Sequence, residues 1–433
     1  MWYRLINISC ILIICSTAFA QNDSLYTLYE EKIDRLAATE LVQSMSQRSL
    51  LTPGYFPELK ALIARQAYEF WKENSNEKYV SHLNVYSALY YANKYLGYDS
   101  ITHQAFNQVL GHSESVVSLK FGNNQSKFYS AGSDGRVLLW DMEKIKAPPV
   151  LLYKGDHLIR SIDISPDGQW IMVVSKDQGI FFIPGRKLEE ASEYYSHFPE
   201  KVMAAAFLPG SDQFLMVDRT GNIRIRGYNG DESIDRTMEK ILSLEVNDDS
   251  GEIYLGTLSG KLQKIDRPGE IRNVAFSESF AINDIAISHN QKLLALGREK
   301  GDAILWDLEK DTIVRVISGH QSAITDLDFS PDDSLLLTAS RDRTVRLWDV
   351  HDTRKLPLML DDHDDWVLAA SFVPDGKKII TGSKDNYIRL WPVEHKPLAD
   401  RICRFISRNL TPAEWDEYVG GQFPYRKTCP LKR

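Results

Sequence analysis

Three histidines are each followed, at a fixed distance, by residue types that could do chemistry. A hydroxyl residue stands 18 positions after each histidine, an aspartate 22 positions after it and a tryptophan 28 positions after it. The three sets are His112, Ser130, Asp134 and Trp140; His320, Thr338, Asp342 and Trp348; and His363, Thr381, Asp385 and Trp391. Histidine, hydroxyl and carboxylate are the groups of a nucleophilic triad, and histidine and carboxylate also bind metals. Their role depends on the elements that position them.

Other candidates for chemistry are few. Residues 361–365, DDHDD, could offer oxygen ligands to a hard cation, but the carboxylates lack the spacing of a calcium loop, and a solvated turn is favoured. The sequence contains no HExxH, GxSxG, GxxxxGK[ST], GxGxxG or CxxC motif. We therefore predict no metal, no cofactor and no enzymatic activity.

Composition is that of an ordinary globular protein. The chain has 433 residues, of which 43% are hydrophobic and 25% charged, and its formal net charge is −8. This mild acidity argues against binding to nucleic acid or to an anionic membrane.

A segment of about 43 residues repeats along the chain. Residues 316–349, VISGHQSAITDLDFSPDDSLLLTASRDRTVRLWD, return as residues 360–391 and appear earlier as residues 111–141. With its Gly-His, its Asp turn and its final Trp-Asp, the segment resembles a WD repeat, the unit that forms one blade of a β-propeller. Between Trp140 and Trp306 there is room for three further repeats, which end at Ile183, Arg226 and Ile265.

Seven repeats predict a closed ring, because a lone blade would leave open strand edges. The predicted fold class is mainly β: a seven-bladed β-propeller with an α-helical N-terminal segment and a short α-helical C-terminal tail. Residues 106–110 are predicted to form the outer strand of the seventh blade and to close the ring.

The resemblance implies a structural role for the three sets, which we call tetrads. The histidine would bond the aspartate through one ring nitrogen and the hydroxyl through the other, while the tryptophan would donate its indole N–H to the hydroxyl. Such a network would fix a tight turn. The middle repeats depart from the pattern: Thr220, Ser259 and Lys300 stand at the aspartate position, so packing must hold these blades.

Two helical regions flank the repeats. Residues 21–103 show helical periodicity and contain helices whose apolar faces need a partner surface; packing on the propeller and a tetratricopeptide-like peptide groove are the alternatives. The propeller is predicted over residues 104–395 and the tail over 396–433, with one helix over 400–409 and a second opened by a capping box at Thr411. The tail is similar to those of bacterial signalling proteins with WD repeats, which implies a bacterial source.

The first twenty residues have the layout of a cleaved signal peptide, with Arg4, a short apolar run and Ala18-Phe19-Ala20. They predict export to the periplasm or beyond, with no transmembrane span after cleavage. Cys403 and Cys429 are the cysteines left in the mature chain and are candidates for a disulfide, the alternative being two reduced, buried thiols.

WD-repeat propellers present surfaces, so the resemblance implies a scaffold or adaptor that binds a protein or peptide in the cell envelope, as part of a complex. The candidate partner-binding residues are Ser133, Arg341 and Lys384, each directly before a tetrad aspartate, and Trp366. The alternatives are a sensor of a small molecule or cell-wall fragment and an envelope hydrolase acting in the propeller channel. Convergent carboxylates in the channel would favour the hydrolase, whereas a broad apolar and basic surface would favour the scaffold.

Overall fold

The fold divides into two compact units, an all-β unit over residues 99–394 and a helical unit formed by residues 1–98 and 395–433. The computed structural model describes residues 38–73, 82–96, 107–122, 125–177, 179–185, 195–198, 201–210, 213–227, 230–237, 239–247, 249–266, 270–274, 280–352 and 356–430. The predicted signal peptide lies outside the described residues.

The β unit is a seven-bladed propeller, as predicted. Its 28 strands form seven four-stranded antiparallel sheets. The strands are β1 Gln108–Leu110, β2 Val116–Phe121, β3 Lys127–Gly132, β4 Arg136–Asp141, β5 Val150–Lys154, β6 Ile159–Ile164, β7 Trp170–Ser175, β8 Gly179–Pro184, β9 Tyr195–Phe198, β10 Val202–Phe207, β11 Phe214–Asp218, β12 Asn222–Gly227, β13 Gly230–Arg236, β14 Ile241–Val246, β15 Ile253–Thr257, β16 Leu262–Asp266, β17 Glu270–Asn273, β18 Ile282–Ile287, β19 Leu293–Arg298, β20 Asp302–Asp307, β21 Thr312–Ser318, β22 Ile324–Phe329, β23 Leu335–Ser340, β24 Val345–Asp349, β25 Leu358–Leu360, β26 Val367–Phe372, β27 Lys378–Ser383 and β28 Tyr387–Pro392.

Blades 1 to 6 take four consecutive strands each, starting at β2, and blade 7 consists of β26, β27, β28 and β1. In blade 7, Gln108 lies opposite Arg389 and Leu110 opposite Tyr387, so the start of the propeller closes its end. The predicted closing strand is therefore confirmed, although it begins at Gln108.

The first strands of successive blades contact one another in a closed ring, from β2 through β26 and back to β2. These strands therefore line the central channel. Apolar side chains fill the layers between neighbouring blades; one layer joins blades 3 and 4 through Leu215, Ile223, Ile241 and Leu255. Burial of these layers supplies the main driving force for the fold.

The helical unit contains five helices among the described residues: α1 over residues 38–51, α2 Pro57–Glu73, α3 His82–Leu96, α4 His395–Phe405 and α5 Pro412–Tyr418. The C-terminal tail supplies the partner surface that the N-terminal helices need. Asn93 donates a hydrogen bond to the Leu398 carbonyl at 2.9 Å, and the rings of Phe70 and Trp415 lie 6.4 Å apart. The two helical regions, which the sequence presents separately, thus form one unit.

The first helix of the tail differs from the sequence interpretation at both ends. Helix α4 begins at His395 and ends at Phe405, not at residues 400 and 409. The earlier start is possible because Pro397 is tolerated within the first helical turn. Thr411 and Glu414 form the predicted capping box, with Pro412 at the first helical position. Cys403 and Cys429 form a disulfide, with Cα atoms 5.5 Å apart. None of the helices in the described ranges combines the length and apolar composition that crossing a bilayer requires.

Candidate functional site

One side of the propeller carries the loop before the first strand of each blade and the turn between the second and third strands; we call it the mouth face. In every blade a backbone hydrogen bond of 2.8–3.0 Å joins the first residue of the turn to the last residue of the loop. These fourteen rim positions, in blade order, are Ser115 and Ser133, Leu158 and Lys176, Lys201 and Arg219, Lys240 and Leu258, Ala281 and Glu299, Ala323 and Arg341, and Trp366 and Lys384. They surround the opening of the channel.

The tetrad of blade 6 is assembled beneath this face. His320 Nδ1 lies 2.9 Å from the Asp342 carboxylate and Nε2 lies 2.7 Å from Thr338 Oγ1, to which Trp348 donates its indole N–H at 3.0 Å. Because a carboxylate cannot donate, Nδ1 carries the proton and Nε2 accepts from the hydroxyl. Burial would raise the pKa of Asp342, but its hydrogen bonds to His320 and Thr344 outweigh this and lower the pKa. The network is satisfied internally.

Blade 1 repeats this arrangement. His112 lies 2.9 Å from Asp134 and 2.8 Å from the Ser130 hydroxyl, which accepts the Trp140 indole N–H at 2.8 Å. The aspartate also accepts the backbone N–H of Ser113 at 2.9 Å. In both blades the carboxylate therefore ties the turn to the loop, and neither set presents a free nucleophile or an open ligand position.

The tetrad predicted for blade 7 is incomplete, which corrects the sequence interpretation. His363 Nε2 lies 2.9 Å from Thr381 Oγ1 and Trp391 donates to the same hydroxyl, but Asp385 accepts a hydrogen bond from Arg389 in place of His363. The guanidinium of Arg389, which is fully buried, takes the carboxylate as its counter-ion because an unpaired buried charge is costly. Burial and the positive charge of Arg389 lower the pKa of His363 well below its ordinary value.

Blades 2 to 5 replace the tetrad hydroxyl by apolar side chains. At the position of Ser130, Thr338 and Thr381 they carry Val173, Met216, Leu255 and Leu296, all buried. In blade 2, no hydrogen bond between His157 and Asp177 occurs among the described residues, and Asp177 is exposed. We call blades 1, 6 and 7 the regular blades and blades 2 to 5 the degenerate blades.

Trp366 is an exposed aromatic side chain of the mouth face, with 40% of its surface accessible. The Arg341 guanidinium lies 5.2 Å and the Lys384 ammonium 4.5 Å from its ring centroid, which is cation–π geometry. Arg341 reaches Glu299 of blade 5 at 3.3 Å, and Lys384 reaches Asp365 at 3.3 Å. The structure thus brings three of the four predicted partner-binding residues together. Ser133 occupies the equivalent rim position of blade 1.

The channel is lined by carboxylates, which our sequence reasoning missed. Asp163, Asp284, Asp326 and Asp328 each accept a backbone N–H of the next blade at 2.7–2.9 Å, from Phe207, Leu327, Ala370 and Phe372 respectively. The same tie recurs between several pairs of blades, so these carboxylates hold neighbouring blades together. The detectable signal was a polar residue among the apolar residues of a first strand, as in residues 324–329, ITDLDF.

Two of these carboxyl groups interact directly. Burial and the neighbouring carboxylate raise the pKa of Asp284 well above its ordinary value, and burial raises the pKa of Asp326 to about 6. Enclosure would lower the pKa of Lys120, but the surrounding carboxylates, Asp163 and Glu245 among them, outweigh this and raise it. The channel therefore concentrates negative charge around one cation. No group of side chains suited to a metal ion occurs among the described residues.

Comparison with known proteins agrees with this architecture. Four segments match the family described as "WD domain, G-beta repeat", namely residues 104–141, 149–182, 311–349 and 354–392. They include the tetrad residues of the regular blades, whereas blades 3 and 4 lie between the second and third segments.

Several known proteins are similar to part of this chain. WD repeat and SOCS box-containing protein 1 of Homo sapiens is 37% identical over 82 residues, 19% of this chain and 20% of the relative. Nuclear distribution protein PAC1 of Fusarium vanettenii is 32% identical over 154 residues, 35% of this chain and 31% of the relative. WD repeat-containing protein 26 homolog of Arabidopsis thaliana is 27% identical over 264 residues, 58% of this chain and 43% of the relative.

The matched region thus spans between a fifth and less than half of these relatives' length. All three are eukaryotic, and the bacterial origin of the chain stays a prediction. The repeated signature, the matched segments and these relatives support the membership of the chain in the WD40 repeat family.

Proposed function

We propose that the protein is a non-catalytic scaffold or adaptor that binds a protein or peptide partner on the mouth face of its propeller. The observation that carries the proposal is Trp366, exposed at the rim with Arg341 and Lys384 at its ring. Tryptophan and arginine are enriched among the residues that dominate binding energy at protein interfaces. WD40 propellers typically serve as interaction scaffolds, which supports the same conclusion.

We further propose that the protein is exported and acts in a bacterial cell envelope as part of a complex. The supporting observations are the signal-like residues 1–20 and the disulfide between Cys403 and Cys429, since disulfides persist in oxidising compartments. Fractionation of cells that express the protein, with the N-terminus of the mature chain sequenced, tests this. Recovery of an uncleaved chain in the cytoplasm would contradict it.

The test of the scaffold is cross-linked affinity purification of the tagged chain from its envelope. It is run beside a variant that combines Trp366→Ala, Arg341→Ala and Lys384→Ala. We expect a stoichiometric partner with the wild type, and its loss in the variant. A control variant removes one exposed apolar group and two exposed lysines away from the mouth face: Leu151→Ala, Lys127→Ala and Lys377→Ala.

We call Trp366, Arg341 and Lys384 the Trp366 cluster. Loss of the partner from the control as well, or retention of the partner by the triple variant of this cluster, would show that the cluster is not the binding site. If the wild type captures no stoichiometric partner, the scaffold proposal is wrong.

A second candidate is the envelope hydrolase, because carboxyl groups do converge in the channel. Asp284 and Asp326 have raised pKa values, and a protonated carboxyl beside an ionised one is an acid–base pair. Each, however, accepts a backbone N–H of the next blade at 2.7 Å, as carboxylates elsewhere in the ring do. The shared contact favours a structural role. Glycan or peptide hydrolysis by the wild type that is abolished by Asp284→Asn would favour the hydrolase.

A further inference from the structure

Six rim positions on three consecutive degenerate blades form a continuous stretch that we call the basic arc. Its residues are Leu158 and Lys176 of blade 2, Lys201 and Arg219 of blade 3, and Lys240 and Leu258 of blade 4. Within each blade the two residues are held side by side by the rim hydrogen bond, at 2.8 or 2.9 Å. The backbone therefore fixes the two positions of each blade relative to one another, and the order of the blades places blade 3 between blades 2 and 4.

The arc carries four positive charges and no negative charge at its six positions. None of its four cations forms an ion pair with a described residue. In blade 4, Glu239, which precedes Lys240 in the chain, is paired with Lys261 at 2.7 Å. In blade 2, Asp156 and Asp177 lie on the same loop and turn, and neither is ion-paired with the arc. The charge of the arc is thus available to a ligand, although the whole chain is acidic.

The other eight rim positions differ in this respect. Their two cations, Arg341 and Lys384, are already paired with Glu299 and Asp365, and Glu299 itself is a rim residue. Among the fourteen rim positions, the cations without an ion-pair partner in the described part of the chain are therefore those of the arc.

Leucine side chains mark the two end blades of the arc. Leu158 on blade 2 is 39% exposed and Leu258 on blade 4 is 50% exposed. The cations of blade 3, Lys201 and Arg219, lie between these blades. The arc thus offers an apolar contact near either end and positive charge in the middle, a pattern complementary to an acidic chain with flanking apolar residues.

The channel below the rim has the opposite charge. Asp163, Glu245, Asp284 and Asp326 surround Lys120, and Lys120, Asp163 and Glu245 are each the fifth of the six residues of a first strand, so this negative charge lies deep in the channel. An acidic ligand is attracted to the rim and repelled from the channel. It should therefore lie across the mouth face without entering the channel.

We propose that the basic arc binds an acidic polypeptide segment flanked by apolar side chains. This inference rests on the proposed function, in that the mouth face binds a protein partner, and it assigns the chemistry of the segment that the partner presents. The arc binds the acidic side chains of this segment, and the Trp366 cluster on the opposite part of the rim contacts a separate portion of the same partner.

The test is fluorescence anisotropy of the purified chain with a labelled probe peptide made of glutamates flanked by leucines. A peptide with glutamine in place of every glutamate is the control ligand. We expect the acidic peptide to bind, the glutamine peptide not to bind, and the affinity to fall as salt is added. The arc variant carries Lys176→Gln, Lys201→Gln, Arg219→Gln and Lys240→Gln, and we expect it to bind about tenfold more weakly or worse.

A matched variant removes four exposed lysines that follow or lie within the turns on the other side of the propeller: Lys127→Gln, Lys292→Gln, Lys377→Gln and Lys378→Gln. It has the same net charge as the arc variant and should bind the acidic peptide as the wild type does. If both variants lost affinity for the acidic peptide equally, the binding would depend only on the net charge of the chain, and the inference would be overturned. Absence of binding to the acidic peptide would overturn it too.

Single-stranded DNA and vesicles of anionic phospholipid are the competing ligands. Tighter binding of either one, lost in the arc variant, would overturn the assignment to a polypeptide. Failure of this inference is separable from failure of the proposed function. If the partner captured from the envelope is retained by the arc variant and lost from the Trp366 variant, the scaffold stands and the arc inference fails.

Discussion

The regular and degenerate blades reach the same fold by different interactions. In regular blades 1 and 6, a buried hydroxyl joins histidine and tryptophan, and an aspartate fixes the turn. In the degenerate blades, Val173, Met216, Leu255 and Leu296 fill the hydroxyl position and apolar layers join the blades. The difference teaches that the turn network is one way to stabilise a blade, and that closure of the ring and apolar burial suffice elsewhere.

The difference extends to the mouth face. The turns of blades 1 and 6 are tied to the preceding loop by a tetrad aspartate, whereas the turns of blades 2 and 3 lack the tetrad and carry Lys176 and Arg219 of the basic arc. Lys176 and Arg219 have no ion-pair partner among the described residues, whereas Arg341 and Lys384 at the same turn position of blades 6 and 7 are paired with Glu299 and Asp365.

The largest effect should come from Thr338→Val, which keeps the shape of the side chain and removes the hydroxyl. The change leaves the Trp348 indole N–H and His320 Nε2 buried without their shared partner. Each unsatisfied group costs roughly 1–3 kcal/mol, so we expect the free energy of unfolding to fall by about 3 to 4 kcal/mol. Denaturant unfolding measures it. A loss below about 1 kcal/mol would show that the regular blades also depend mainly on packing.

A degenerate blade should instead be sensitive to lost volume. Leu255→Ala removes a fully buried side chain from the layer between blades 3 and 4 and leaves a cavity beside Leu215 and Ile223. We expect a loss of about 3 kcal/mol in the free energy of unfolding. Replacement by methionine, which conserves volume, is the control and should cost less than about 1.5 kcal/mol. Equal losses for alanine and methionine would contradict the packing account.

The boundary between the two types of blade should respond to pH. Asp284 of blade 5 and Asp326 of blade 6 have pKa values raised by burial, and that of Asp326 is about 6. The folded state therefore holds protons that the unfolded state releases, so the stabilisation is complete below about pH 4 and is lost as pH rises through about 6. Asp284→Asn should remove this loss and be more stable than the wild type at pH 8 by about 1 to 2 kcal/mol.

The measurement is the difference in unfolding free energy between Asp284→Asn and the wild type from pH 4 to pH 8. Asp342 and His363, whose pKa values are lowered, act in the opposite direction but are common to both proteins, so their contributions cancel. Asp416→Asn, at an exposed position of the helical unit, is the control and should give a flat difference. A difference that does not grow with pH would show that the pair is not protonated.

Sequence reasoning predicted the features that recur along the chain, such as the number of blades, and missed features that occur in a single blade. The spacing of Trp140, Trp306, Trp348 and Trp391 gave the number of blades, because the period of a repeat survives the loss of individual residues. The tetrads of blades 1 and 6 follow from residue types alone. In blade 7 the prediction paired His363 with Asp385, because nothing in the spacing shows that Arg389 is buried on the same side of the strand.

The channel carboxylates were missed for a related reason. In the sequence, Asp284 and Asp326 look like the polar residues of strands that alternate polar and apolar side chains. Only closure of the ring brings such residues to face one another. The basic arc was missed likewise, because Lys176, Lys201 and Lys240 are far apart in the sequence and become neighbours only through consecutive blades. The sequence pattern shows the period of the propeller. Which charged side chains become neighbours around the axis depends on closure of the ring.

The smallest effect concerns the residue that follows the aspartate position in the turn between the second and third strands of a blade. Gly135, Gly221, Gly260 and Gly301 of blades 1, 3, 4 and 5 have positive φ there, whereas blades 6 and 7 place Arg343 at φ 71° and Asn386 at φ 72°. The left-handed region is costly for arginine but tolerated by asparagine, so the hydrogen bonds of the aspartate must hold Arg343 in place. Arg343→Gly removes the strain but makes the unfolded chain more flexible, and we expect a net gain of about 0.5 kcal/mol in the free energy of unfolding. Asn386→Gly should change stability less than Arg343→Gly does, and the reverse order would show that the two turns are not held in the same way.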